Sequence, residues 1–291
     1  MSKIALGTVQ FGIDYGINST DGKVQLDEVE RILNYAKSQG VELLDTAPAY
    51  GNSEQILGDC NVQKFNVVTK TRHFDCSTIG NQEVELLVSD FNRSLTALKQ
   101  KSVYGVLFHN ADNLLKPESD KLFNRLNDFK QAGKVKKIGV SIYNHEQLQS
   151  IVNNFDIDLV QLPLNILDRR LIDSGIFKIL QDKDIEVHAR SVFLQGLLLM
   201  TEQSRPGKFK HWGALWKVWH EWLNDNHITA LEATIRYAIS MTEISKVLVG
   251  VDSTEQLKEI ISASHGNLPD IPAELFINDV NLLNPSNWGK I

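Results

Sequence analysis

Short runs rich in Val, Ile and Leu alternate with longer segments whose apolar residues recur at helical period, and this alternation repeats from one end of the chain to the other. Strands are expected over Lys3 to Gly7, Val41 to Leu44, Phe65 to Thr69, Val103 to Phe108, Lys137 to Ser141, Leu159 to Leu162, Glu186 to Ala189 and Lys246 to Val249. Between and after them the period predicts helices over Leu26 to Ser38, Glu54 to Asp59, Gln82 to Leu98, Pro117 to Ala132, Glu146 to Asn153, Asp173 to Gln181, Thr229 to Ser240 and Thr254 to Ser264. Gly40 and Gly133 stand where helices commonly stop, and Pro117 suits a first helical turn. Strands joined by helical crossovers pair in parallel. An open, doubly wound sheet is the rival architecture, but no strand-to-helix turn carries Gly-x-Gly-x-x-Gly, so its dinucleotide fingerprint is missing. The expected fold is therefore α/β, a closed (β/α)8 TIM barrel. It forms a single domain over 1–291, with the barrel at about 3–264 and a C-terminal loop or tail at 265–291.

Composition narrows the partners. The 291 residues are 42% hydrophobic and 23% charged, the balance of one large core, and a barrel of this kind uses about 250 residues as one domain. The formal net charge is −6 with no basic cluster, which argues against nucleic acid as a partner. The start MSKIALGTVQFG has no secretion-type apolar region, and no run approaches the roughly 20 apolar residues of a membrane span, so a cytoplasmic protein is expected. Cys60 and Cys76 fit neither a disulfide framework nor a metal motif, and no metal site is expected. Trp212, Trp216, Trp219 and Trp222 recur at helical spacing, which reads as a packed apolar stripe, with a partner surface as the alternative. The chain is expected to be a monomer or small homo-oligomer.

Four proton-handling side chains stand at or just beyond strand ends, where α/β barrels keep their chemistry. LLDTAPAYGNSEQILG carries Asp45 and Tyr50, FNVVTK ends in Lys70, and VYGVLFHN ends near His109. Singly, such residues are more often turn, cap or solvated groups. Together, and inside DTAPAYG, VVTK and LFHN, they resemble the aldo/keto reductases, whose tetrad is Asp, Tyr, Lys and His in that order. The resemblance runs from about Ile4 to about Ala263 and implies reduction of an aldehyde or ketone with a nicotinamide cofactor. Tyr50 is then the proton donor. Lys70 makes the phenol more acidic, Asp45 holds the ammonium in place, and neutral His109 orients the carbonyl or shares the proton load.

The same resemblance assigns the cofactor contacts. GVSIYN places Ser141, and QLPLN places Gln161, on the carboxamide, while Ile142 stands where the family usually has Asn. In VHARSVFLQGLLL, Arg190 occupies the ring-stacking position, with a structural salt bridge as its alternative role, and Ser191 meets the pyrophosphate. Gly7 and Thr8 at the first strand end complete the cradle. VLVGVDSTEQLKEI places Gly250, Ser253, Thr254 and Gln256 near the adenosine phosphate, and Asp252 would repel a phosphate or accept from a ribose hydroxyl. NADP is the family default and NAD the alternative. Phe11, Tyr15 and Trp288 are expected pocket walls.

LGTVQFGIDYGI and ARSVFLQGLLL further resemble a reductase branch of bacterial surface-sugar pathways, implying a sugar-like or nucleotide-sugar carbonyl. Two other activities compete: a Schiff-base aldolase using Lys70, and a nicotinamide-binding regulatory barrel without turnover. A metal-dependent hydrolase is weaker, since His109 and Asp45 have no neighbouring His-x-His or clustered acids.

Overall fold

The computed structural model describes residues 2–16 and 22–290, so Ile17 of LGTVQFGIDYGI and Ile291 of the C-terminal tail lie outside the described residues. Eight strands close into a barrel: β1 (Ile4–Gly7), β2 (Leu43–Asp45), β3 (Asn66–Lys70), β4 (Val103–Phe108), β5 (Val135–Ser141), β6 (Leu159–Pro163), β7 (Glu186–Arg190) and β8 (Lys246–Gly250). Every neighbouring pair is parallel, and β8 returns to β1 in a register running from Ile4 opposite Val247 to Gly7 opposite Gly250. The main helices are α1 (Leu26–Ser38), α2 (Ser53–Asp59), α3 (Asn81–Ala97), α4 (Asp120–Gln131), α5 (His145–Asn154), α6 (Ile176–Asp182), α7 (Gly213–Asp225), α8 (Ala230–Ser240) and α9 (Thr254–Ala263). The expected (β/α)8 TIM barrel is the observed fold.

Each helix forms for a local reason and buries one stripe. In α1, Val29, Ile32, Leu33 and Ala36 share the inward face. In α8, Thr229 and Glu232 close a capping box on one another's backbone amides. Two expected helices are shorter than their pattern. Glu118 takes φ 60°, which no helix continues, so α4 starts at Asp120 rather than Pro117. Gly175, at φ 74°, interrupts the helix expected from Asp173 to Gln181: Asp173 ends a separate turn, Arg170–Asp173, and α6 starts only at Ile176.

Apolar side chains pack in two zones. Ala5, Leu43, Val68, Leu107, Leu159 and Leu248 fill the barrel interior, and a larger cluster lies between the strands and the helical ring. The tryptophan stripe joins the outer zone, with Trp216, Trp219 and Trp222 only 3%, 0% and 7% exposed. It also anchors the C-terminal tail, because Trp222 Nε1 donates to the Asp270 carbonyl and Trp212 Nε1 to the Asp279 carboxylate. The stripe is therefore core, and the partner-surface alternative falls.

The N-terminal end of the barrel is tied by one carboxylate. Glu186 accepts from Tyr104 Oη and Lys137 Nζ, each at 2.6 Å, and meets the buried His188 Nε2 at 2.6 Å. Burial alone would raise its pKa, but these hydrogen bonds outweigh burial and hold it at about 2. A carboxyl lowered from its ordinary 4.5 contributes stability above the unfolded value and loses it as pH falls through the folded one, here at most ~3 kcal/mol. Glu186→Gln is accordingly expected to lower the urea midpoint at pH 7. The gap to wild type should close between pH 4.5 and pH 2, and a gap independent of pH would remove the carboxylate's role.

Candidate active site

The C-terminal strand ends surround a cavity of about 580 Å³, lined from six strands by Gly7, Asp45, Ser141, Gln161, Arg190 and Gly250 and joined by Tyr50 and His109. Asp45 ends β2 opposite Val68 of the adjacent parallel strand β3, and Lys70 stands two residues further along β3 on the same face, so the two side chains meet at the strand ends. Lys70 Nζ donates to Asp45 Oδ2 at 2.6 Å and to the Thr46 carbonyl at 3.0 Å, and Gln161 Nε2 donates to Asp45 Oδ1 at 2.7 Å. Both carboxylate oxygens are thus engaged in a pair whose side chains are 1% and 5% exposed.

Tyr50 stands over this pair. Lys70 Nζ lies 4.9 Å from the centre of its ring, and the His109 ring meets it edge-on at 6.0 Å and 87°. The loop carrying Tyr50 is seated against the loop after β1. Cβ atoms at Gly12 and Gly51 would fall 1.7 Å from the Tyr50 carbonyl and 2.5 Å from the Gly12 carbonyl, so only glycine permits this contact.

Burial sets the charge states. Burial opposes the Lys70 charge, but Asp45 and Tyr50 outweigh it and the ammonium's pKa rises. Burial raises the Tyr50 pKa, and although Lys70 pulls the other way it does not overcome the burial, so the phenol stays protonated. That corrects the expectation of an acidified tyrosine in the free protein: the cation moderates a raised pKa. His109 is driven down to about 4, first by burial and then by Lys70, and its ring is neutral near pH 7.

The remaining expected residues divide. Ser141, Gln161, Arg190, Ser191, Gly250, Gln256, Gly7 and Tyr15 line the cavity, with Tyr15 Oη accepting from Gln195 Nε2 at 3.1 Å. Thr8 does not line it; its hydroxyl is buried and donates to the Asp45 carbonyl at 3.0 Å. Phe11 and Trp288 are not pocket walls. They are 0% and 4% exposed in the core, because each is large and apolar enough to be drawn inward, Trp288 against Phe209. Ile142 is likewise core. Among the described residues Arg190 has no salt-bridge partner: its guanidinium lies 4.4 Å over the Tyr143 ring and donates to the Ile142 carbonyl at 2.9 Å. Ser253 caps α9, accepting from Gln256 N–H, and the Thr254 amide is taken by Glu28 Oε1 at 2.5 Å. The start of α9, expected to receive phosphate, therefore already holds a carboxylate.

Sequence reasoning missed Gln10, Tyr143, Phe193, Gln195 and Glu259, which also line the cavity. It also missed Glu54, buried in α2, which accepts from Thr69 Oγ1 at 2.6 Å and Ser94 Oγ at 3.0 Å. No signal in the sequence marked Glu54, because an acid in the first turn of a helix is ordinary. Gln10 Oε1 is buried in the cavity wall without a hydrogen-bond partner among the described residues. With Ser141 and Gln161 at the strand ends, such an acceptor fits a cavity built for a large polar molecule such as a dinucleotide. Among the described residues, no group of three or more His, Cys, Asp or Glu could hold a metal ion, and no helix is long and apolar enough to cross a membrane.

With the barrel and its strand-end constellation in place, the class of protein is defined: residues 3–273 match the Aldo/keto reductase family, and the chain belongs to that family. It is an NAD(P)-dependent oxidoreductase. The chain is 23% identical to the NADH-specific methylglyoxal reductase of Escherichia coli, over 94% of this chain and 93% of that one. It is 22% identical to the D-arabinose 1-dehydrogenase of Saccharomyces cerevisiae, over 79% and 74%. The glycerol dehydrogenase of Gluconobacter oxydans shares the fold with a TM-score of 0.71 at 20% identity, over 93% of this chain and 88% of that one.

Proposed function

We propose that this protein reduces the carbonyl of a small aldehyde or ketone to an alcohol, with NADH as cofactor and Tyr50 as general acid. The observation that carries the reading is a phenol in the cavity set over a buried ammonium that is itself locked by Asp45. A bound nicotinamide supplies hydride to the carbonyl carbon. Ser141 and Gln161 would hold its carboxamide, and Ser191 its phosphates. Tyr50 gives its Oη proton to the carbonyl oxygen as negative charge builds there. Lys70 stabilises the phenolate left behind, and Asp45 keeps that cation in place. His109, neutral, hydrogen-bonds the same oxygen and orients the substrate. The Lys70–Asp45 pair also disfavours the aldolase reading, since a Schiff-base lysine must give up its proton.

The choice of NADH over NADP rests on charge. Asp252, Gln256 and Glu259 line the β8 end of the cavity, and Glu28 occupies the Thr254 amide. A 2′-phosphate there would face carboxylates, whereas a ribose hydroxyl can donate to one. NADH is expected to bind at least ~10-fold tighter than NADPH, a difference of about 1.4 kcal/mol, when both are titrated by fluorescence. Glu28→Gln with Asp252→Ser should narrow that ratio, and equal or tighter NADPH binding by the wild type would reverse the choice.

For the substrate, Tyr15, Tyr143 and Phe193 offer aromatic walls and Gln195 a polar one, a combination suited to a sugar-like carbonyl. Screening aldehydes, ketoses and keto-sugar nucleotides for oxidation of NADH tests class and identity together. No oxidation with any of them would favour a regulatory barrel.

A further inference from the structure

A second cavity, of about 600 Å³, shares no lining residue with the first and lies between residues 202–210 and helix α7. Its wall contains Arg205, which is 8% exposed. The guanidinium carbon lies 4.1 Å from the centre of the Trp216 ring, and Nη2 donates to the Met200 carbonyl at 3.1 Å and to His220 Nε2 at 3.1 Å. Nε is buried with no acceptor among the described residues.

Every group touching this cation is neutral. A carbonyl, an imidazole and an indole face orient a guanidinium without cancelling its charge, and the indole face supplies only part of what desolvation removes. Burial and the neighbouring arginine both lower the pKa of His220, so the ring accepts the Arg205 hydrogen bond in its neutral form. Glu202 acts on Arg205 from beyond ion-pair distance and is exposed, and Glu221 lies 3.8 Å from Lys217. Lys210 and Lys217 complete the rim. With the two rim lysines set against Glu202 and Glu221, Arg205 is the charge left over.

A guanidinium fixed by two hydrogen bonds and an indole face, with no ion pair among the described residues, matches carboxylate and phosphate oxygens better than any other partner. We propose that this cavity is a binding site for a small oxyanion, received by Arg205 with Lys210 and Lys217 at the mouth. Glu202 and Glu221 in the same lining restrict it to a compact mono- or dianion and exclude polyanions.

The test is calorimetric titration of the full chain at low ionic strength with inorganic phosphate and, separately, acetate, each with and without saturating NADH. Saturable binding of one or both probes, unchanged by NADH, is expected; phosphate alone would indicate a phosphate site and acetate alone a carboxylate site. Arg205→Gln should weaken it at least ~10-fold while carbonyl reduction stays within about twofold of wild type, since loss of a charged acceptor–donor pair is worth that much or more. The exposed double variant Lys210→Gln/Lys217→Gln should weaken it by about threefold, and it decides the matter if Arg205→Gln fails to fold. No saturable heat with either probe, loss of binding in the presence of NADH, or wild-type affinity in the variants would overturn the proposal. Because no turnover is measured in the titration, its outcome is separate from that of the reductase assay.

Discussion

Replacing Tyr50 with Phe is expected to leave NADH binding nearly intact and to lower carbonyl reduction by at least ~100-fold, the low end of what a positioned general acid contributes. The substitution removes one oxygen from a ring whose other contacts, the edge of His109 and the face toward Lys70, are retained. Cofactor affinity is therefore the internal control. The pH profile adds a second signature. An acid works while protonated, so activity is present at low pH and falls as pH rises through the donor's pKa. Burial places the Tyr50 pKa above the ordinary 10.0 in the free protein, so kcat/KM should stay level through neutrality and decline only in the strongly alkaline range. His109, neutral above about pH 4, adds no limb near pH 7. The Phe variant should lack the alkaline decline. Equal rates for the two proteins, or an unchanged profile in the variant, would move the proton donation to another group.

The strands were legible because each is short, apolar and bounded by a helical period, and the two misjudged helix boundaries trace to Glu118 and Gly175, whose backbone angles override propensity. The acid–lysine pair was legible for a different reason: strand ends on adjacent strands are neighbours by register, so Asp45 and Lys70 could be placed without coordinates. Loop residues had no such rule. Phe11 and Trp288 read as aromatic walls because composition marks them as large and apolar, yet whether a ring turns to the cavity or the core depends on contacts distant in sequence, such as Phe209 beneath Trp288. Arg190 was open between stacking on the nicotinamide and a salt bridge for the same reason, and its place over the Tyr143 ring was in neither reading. The Glu28 carboxylate at the start of α9 was invisible, being 226 residues away from Thr254. The sign of the Tyr50 pKa was missed because the nearby cation is evident in sequence while the extent of burial is not.

Asp45→Asn is expected to destabilise the fold by about 3–5 kcal/mol at neutral pH, the range for removing one partner of a buried ion pair. The amide keeps the shape of the side chain but cancels the charge that faces Lys70 at 2.6 Å. In the wild type Asp45 outweighs the burial that opposes the ammonium, and the folded pKa of Lys70 is raised; stability from this pair is fully present below the unfolded lysine value and fades only as pH climbs through the folded one. In the variant Asp45 no longer offsets burial, Tyr50 alone opposes it, and the folded pKa is expected to drop below the unfolded one. The sign then inverts: the penalty is greatest at low pH, where a bare ammonium must be buried, and eases as pH rises and Lys70 folds uncharged. Urea denaturation of the two proteins between pH 6 and 10 should therefore show a gap that narrows upward. The neutral lysine that relieves the fold can no longer stabilise a phenolate, so the pH range that restores stability is the range in which reduction stays weak. A constant gap, or recovery of activity in step with stability, would mean that Asp45 acts on the fold alone and that Tyr50 does not depend on the charge beneath it.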